Sequence, residues 1–280
     1  MTSASAASGA DLKVRTTTVV QAFRPAAAVV QAFRPAVSVA VLCVLAAVVA
    51  VPRTVRADII MSAEGLNATL KKMERLKRAI ENGPERERPD AWFQLGTEGD
   101  ALTTLINAEI ASHGMQEREL IDLALSRTRD LGVGVAYNRE KKKFFYDGAG
   151  FQQYLALAAQ GGHAAEAEFA LLSHQFYQSS GTDPAAVTAA AAAKQRFLTR
   201  FPKFKDNAEL SLFLAVDYRD LYRHYRQAHD AANAEKYRLL TRREYLRIAR
   251  QYQGSEQASA ARQLLRRFEE ETKVPRGVRL

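Results

Sequence analysis

Residues 206–265 limit the fold more strongly than any other part of the chain. Apolar and aromatic side chains recur there at steps of three and four residues, a spacing that places them on one side of an α-helix. Polar breaks interrupt the pattern twice, so it predicts helices over 207–228, 233–252 and 256–271. Consecutive amphipathic helices joined by short turns must bury their apolar faces against one another. The segment therefore predicts an all-α architecture.

Helical patterns also precede this segment. Ser62 is a predicted N-cap, because a serine side chain can accept a hydrogen bond from a backbone N–H of the first turn. Asp183 followed by Pro184 predicts another helix start, with the acid as cap and proline at the first helical position. The charged run between Pro84 and Pro89 is predicted to be a linker. The predicted upstream helices cover residues 62–81, 117–130, 151–159, 164–177 and 185–201.

One stretch departs from the helical period. Residues 133–137 alternate, residues 143–146 are mostly aromatic, and a polar run separates them. This pattern predicts a small β-hairpin. A lone hairpin is only marginally stable in water, so it should pack on helices. Lys141, Lys142 and Lys143 stand beside the aromatic residues, which makes them a candidate contact for an anionic polymer, with a solvated turn as the alternative.

Two motifs suggest that the helices repeat. Trp92, Leu95 and Gly96 have the spacing of the opening of a tetratricopeptide (TPR) unit, and a small residue follows at Ala108, which predicts a pair of helices over residues 91–112. The second motif is the turn Tyr-Gln-Gly-Ser-x-x-Ala-x-x-Ala at residues 252–261, and residues 201–208 show a similar order. Small side chains at these positions let neighbouring helices approach closely.

This turn resembles the inter-repeat turn of bacterial envelope TPR proteins, including the lipoprotein component of the outer-membrane β-barrel assembly machinery and the coordinator associated with the Tol-Pal system. The resemblance covers residues 164–270, with a weaker match at 91–112. Gln253 stands where these proteins have proline, and the repeat spacing is longer than the usual ~34 residues. The resemblance implies a TPR-like helical-repeat array with one inserted β-hairpin, and work in protein–protein interaction.

The N-terminal region, residues 1–57, contains an uncharged apolar run over 36–51 that follows Arg34. Its 16 residues are fewer than the ~20 of a comfortable membrane-spanning helix and close to the length of a secretory signal. Val55-Arg56-Ala57 resembles a signal-peptidase site. We therefore expect export to the periplasm, with an uncleaved inner-membrane anchor, and so membrane association through this segment, as the alternative. VVQAFRPA occurs twice within this region, which predicts that the natural start lies further downstream.

The charge distribution gives nucleic-acid binding little support. The net charge of the chain is +9, but residues 1–57 hold six basic and one acidic side chain, so the remainder carries only +4. Cys43, the one cysteine, lies in the same region. Cleavage of the signal would leave a protein without a disulfide or a thiolate zinc site.

The densest group of tyrosine and arginine lies in the helix predicted over residues 207–228. Tyrosine and arginine anchor many protein interfaces, and arginine can hold a carboxylate with two hydrogen bonds. An alternative is that the tyrosines form repeat core and the arginines are solvated or pair with Asp217 and Asp220. The predicted partner-binding residues are Tyr218, Arg219, Tyr222, Arg223, Tyr225 and Arg226.

The sequence predicts no catalytic residues, cofactor or metal ligands, because no nucleophile, phosphate-loop or metal-binding motif is present. The resulting interpretation is a non-catalytic periplasmic scaffold that binds another envelope protein or peptide. One alternative is an envelope enzyme, such as a helical peptidoglycan hydrolase with a glutamate general acid, for which Glu109 and Glu166 are candidates. The other is a polyanion binder that uses its arginines and hairpin lysines. The chain is thus predicted to divide into five segments: a signal peptide or membrane anchor (1–57), a leading helix and linker (58–90), repeat-like helices with the β-hairpin (91–162), TPR-like helical repeats (163–272) and a tail (273–280).

Overall fold

The computed structural model describes residues 61–113, 118–179 and 183–273. These residues form nine α-helices, a short 3-10 helix and one two-stranded antiparallel sheet, all within one compact unit. In chain order, the elements are α1 (Ala63–Asn82), the 3-10 helix (Glu85–Glu87), α2 (Arg88–His113), α3 (Arg118–Asp130), β1 (Val135–Asn138), β2 (Lys143–Tyr146), α4 (Ala149–Ala158), α5 (Ala164–Gln178), α6 (Pro184–Arg200), α7 (Asn207–Gln227), α8 (Ala231–Gln251) and α9 (Glu256–Thr272). The predicted all-α class with a small hairpin is confirmed.

The predicted signal segment, its repeat, Cys43 and residues 274–280 lie outside the described residues. Within the described ranges, no helix combines the length and apolar character needed to cross a membrane.

Helix α1 begins as the sequence predicts. The side chain of Ser62 accepts a hydrogen bond from the Gly65 backbone N–H at 3.0 Å. Leu66, Leu70 and Met73 form its buried stripe. Just before the helix, the backbone N–H of Met61 donates to Glu109 Oε2 at 3.0 Å, which ties the start of α1 to α2.

The structure corrects two predictions about the next segment. The predicted linker at residues 84–89 is a 3-10 turn that leads directly into α2, since Pro89 occupies an early helical position where its missing N–H is tolerated. The helix pair predicted over residues 91–112 is one continuous helix of 26 residues. Gly96 of the motif instead contacts α4, where a Cβ on Gly150 would lie 2.6 Å from the Gly96 nitrogen.

The hairpin is confirmed, with Val135 opposite Tyr146 and Asn138 opposite Lys143. It packs on α2 through Asn107, whose side chain donates to the Phe144 carbonyl and accepts from the Phe144 N–H, both at 2.8 Å. The amide therefore pairs with β2 as another strand would, which satisfies the prediction that the hairpin needs a helix for support.

Helices α5 to α9 pack in sequence, each on the next, and α7 also contacts α5 and α9. The Asp183 side chain caps α6 by accepting from two backbone N–H groups, as predicted. Phe176 of α5 stacks on Phe213 of α7 with ring centroids 4.1 Å apart. At the same junction, the Lys194 ammonium of α6 lies 2.6 Å from Asp217 Oδ2 of α7, and both side chains are buried. Helix α7 is thus the centre of this half of the fold.

Candidate functional site

An open groove lies between α6 and α8, with α7 as its floor. One face of α6 supplies Ala192, Gln195, Arg196 and Thr199, which recur at three- and four-residue steps. Leu214 of α7 lies at the bottom, and the opposite wall is formed by the side chains of Glu244 and Arg247 from α8. The groove therefore has an apolar floor and polar walls.

Hydrogen bonds connect both walls to α7. Gln195 Nε2 donates to the Tyr218 hydroxyl at 2.5 Å, and burial raises the pKa of Tyr218 to about 12. Arg247 donates to Ser211 Oγ at 2.7 Å, and it also pairs with Glu244. Because each wall is held to the floor by a side-chain bond, the groove is a formed feature of the native packing.

The groove and its margins carry more unpaired positive than negative charge. Arg200 pairs with Glu168 at 3.1 Å, and the Glu244 carboxylate pairs with Arg247. Arg196 of α6 and Arg243 of α8 are both exposed, and within the described part of the chain neither has an ion-pair partner. Arg243 is close enough to the Tyr218 hydroxyl to oppose the rise of its pKa. The surface around the groove can therefore attract an anionic group.

The structure places the predicted tyrosines of α7 mainly between helices. Tyr218 and Tyr222 are buried, and Tyr222 meets Phe268 of α9 edge-on with ring centroids 5.2 Å apart. Tyr225 is half-buried and stacks on Tyr237 of α8. These side chains therefore contribute to the hydrophobic core around α7.

The three predicted arginines come together beside the last turn of α9. Arg223 makes two hydrogen bonds to the Glu271 carboxylate, at 2.9 and 2.7 Å. Arg226 is exposed and reaches the Glu271 carbonyl at 3.5 Å. Arg219 is buried, lies 3.8 Å from Asp220, and its Nε has no hydrogen-bond partner among the described residues. An internal carboxylate thus already occupies the centre of this arginine row.

The contacts within the arginine row shift the pKa values of its members. Burial alone would raise the pKa of Glu271, but the hydrogen bond from Arg223 and the charges of the three arginines outweigh it and lower the pKa. The same hydrogen bond raises the pKa of Arg223. Burial lowers the pKa of the Arg219 guanidinium. The row stabilises the contact between α7 and α9 in this structure.

The hairpin lysines do not act as one exposed set. The Lys141 side chain is 2% exposed, and its ammonium lies 3.8 Å from Glu140. Lys142 is exposed at a positive φ of 51°, and Lys143 is half-buried, which lowers its pKa. The hairpin itself joins the hydrophobic cluster of α1 to α5 through Phe144 and Tyr146, whereas the arginine row borders the cluster around α7.

The acids considered for catalysis occupy different positions. Glu109 is 1% exposed and accepts the Met61 N–H, so it is enclosed. Glu166 is half-buried in the first turn of α5. His174 pairs with Asp100 at 2.8 Å. No group of three or more His, Cys, Asp or Glu in residues 61–113, 118–179 and 183–273 is arranged to hold a metal ion.

No protein-family model matches this chain, and a search of the curated proteins gives no match.

The groove was not predicted from the sequence. Its signal was present on α6, where Gln195, Arg196 and Thr199 share a polar face on an otherwise alanine-rich helix. The opposite wall depends on which face of α8 turns away from α7, and that choice follows from tertiary packing.

Proposed function

We propose that the protein is a non-catalytic helical scaffold of the cell envelope that docks another protein. The observation that carries the proposal is the open groove along α6, α7 and α8, in which hydrogen bonds fix both walls to the floor. Open helical surfaces of this type present a preformed site to a polypeptide.

The packing of α5 to α9 supports a TPR-like array. Each helix contacts the next, and α7 also contacts the second helix on either side, as stacked helical hairpins do. At the turn before α9, the Ser255 side chain accepts from the Ala258 N–H at 3.0 Å, and Ala258 and Ala261 are fully buried. The motif residues thus occupy positions suited to close helix packing.

The envelope location rests on the sequence. The apolar run at residues 36–51, followed by Val55-Arg56-Ala57, has the order of an export signal. A protein exported in this way would act in the periplasm, and one that kept the segment would act at the inner membrane.

Site-specific photo-crosslinking in intact native cells tests the proposal. A photoreactive amino acid replaces exposed Thr199 in the groove, and a matched variant carries it at exposed Lys71 on α1. We expect a discrete protein adduct from position 199 only, in the envelope fraction. Equal adducts from both positions, or no adduct at all, would refute the docking role, and recovery of the intact chain in the cytosol would refute the envelope location.

A further inference from the structure

We propose that the groove binds an acidic amphipathic segment of a partner protein, with its carboxylates paired to Arg196 and Arg243. This inference rests on the proposed docking function and adds the chemistry of the occupant. It uses a surface different from the arginine row of α7.

Exposed arginines in and beside the groove favour an acidic partner. Two arginines at the walls already have carboxylate partners, Arg200 with Glu168 and Arg247 with Glu244. Arg196, which lines the groove, and Arg243, which precedes the lining residue Glu244, lack such partners within the described part of the chain, and both are exposed. Each guanidinium can form two parallel hydrogen bonds to a carboxylate. A segment that brings two acids to these positions would pair the charges that the fold leaves unpaired.

Apolar side chains in the groove favour a segment that also has an apolar face. Leu214, 3% exposed, closes the bottom of the groove, and the half-buried Ala192 and Leu198 on the wall of α6 leave apolar surface open to a partner. Apolar side chains on one face of the segment would cover Ala192 and Leu198, while its acids reach Arg196 and Arg243. An amphipathic helix laid into a groove combines both kinds of contact.

The groove suits a peptide better than a single-stranded nucleic acid. Nucleic-acid strands bind through base stacking on exposed aromatic faces in addition to charge. None of the described residues that line this groove is aromatic. Tyr218, which accepts a hydrogen bond from the lining residue Gln195, is itself only 5% exposed. A folded acidic segment, in contrast, can bind through the arginines and the apolar side chains alone.

Selection from a displayed library of random 16-residue peptides tests the inference. We expect the enriched peptides to be rich in Asp and Glu at helical spacing. Their affinity should fall at least tenfold in the double variant Arg196→Glu/Arg243→Glu, because attraction becomes repulsion at both positions. It should also weaken as NaCl rises from about 50 to 500 mM, since salt screens exposed charges.

The matched control is Arg262→Glu, which makes the same charge change at an exposed position of α9. It should alter affinity less than twofold, and circular dichroism should show all variants folded. Enrichment of neutral or basic peptides, no enrichment, or an equal loss in the control would overturn the inference. If position 199 still crosslinks a partner in cells after such a result, the docking function stands and only the acidic occupant is wrong.

Discussion

Replacing Lys194 with methionine should destabilise the protein by about 3–5 kcal/mol. The Lys194 side chain is 0% exposed, and its ammonium lies 2.6 Å from Asp217 Oδ2, which is itself 5% exposed as a side chain. The ammonium also lies 5.3 Å from the centre of the Phe176 ring. The pair therefore joins α5, α6 and α7 at a point that water does not reach.

The magnitude follows from desolvation. Methionine keeps most of the packed chain of lysine but removes the charge, so the buried Asp217 carboxylate loses the ammonium that lies 2.6 Å away. Loss of one member of a buried pair typically costs about 3–5 kcal/mol, a large part of a total stability of about 5–15 kcal/mol. For a chain of this size each kcal/mol corresponds to about 2–4 °C, so Tm should fall by roughly 10 °C.

Urea unfolding of the purified protein, followed by ellipticity at 222 nm, measures the effect. The double variant Lys194→Met/Asp217→Leu removes both charges and should recover most of the loss, which gives a coupling energy of about 2 kcal/mol or more. Arg196→Met on the same helix is the matched exposed control and should change stability by less than about 0.5 kcal/mol. A loss below about 1 kcal/mol in Lys194→Met, or strictly additive effects in the double variant, would refute this account.

Two further predictions concern other contacts. Gly150→Ala should lower the free energy of unfolding by more than about 1 kcal/mol, because the new Cβ would meet the α2 backbone at 2.6–2.8 Å. This loss should outweigh the better helix propensity of alanine. The control Gly162→Ala, where the new Cβ has no atom within 4 Å, should be close to neutral in the same urea assay. Glu271→Gln should cost about 1 kcal/mol at pH 7, since the native pKa of Glu271 lies below its ordinary 4.5 and the ionised form is the one stabilised. The difference in the free energy of unfolding between the native protein and Glu271→Gln should be complete above pH 4.5 and disappear as the pH falls through the lowered native pKa. Urea titrations from pH 7 to pH 3 measure it. A difference that does not change with pH, or an equal difference for the control Glu269→Gln, would contradict this prediction.

Much of the local structure was predictable from the sequence. Ser62, Asp183 and Ser255 cap helices in the structure as side chains of their type do, and the hairpin strands lie within one or two residues of their predicted bounds. Caps, helical periods and strand alternation depend on residues within about four positions of one another. These signals therefore survive without knowledge of the neighbours in space.

The residues that form the surface were decided by tertiary structure. Helical spacing groups Tyr218 with Tyr222 and Arg219 with Arg223, but it does not say which group faces a neighbour. In the fold, α7 packs on four helices and 13 of its 21 residues are buried, so the tyrosines enter the core. Arg223 meets Glu271, 48 residues away.

The same distinction explains the motif at Trp92 and the groove. Small residues at helical spacing predict a close approach, and Gly96 does make one, but to α4 across 54 residues instead of within a local helix pair. The groove likewise combines faces of α6 and α8 that lie about 50 residues apart in the chain. The sequence by itself determined where the helices begin and which side chains share a face, because those depend on local backbone geometry. Only the tertiary structure decided which faces meet and which charges remain unpaired, because burial and ion pairing depend on atoms brought together from distant parts of the chain.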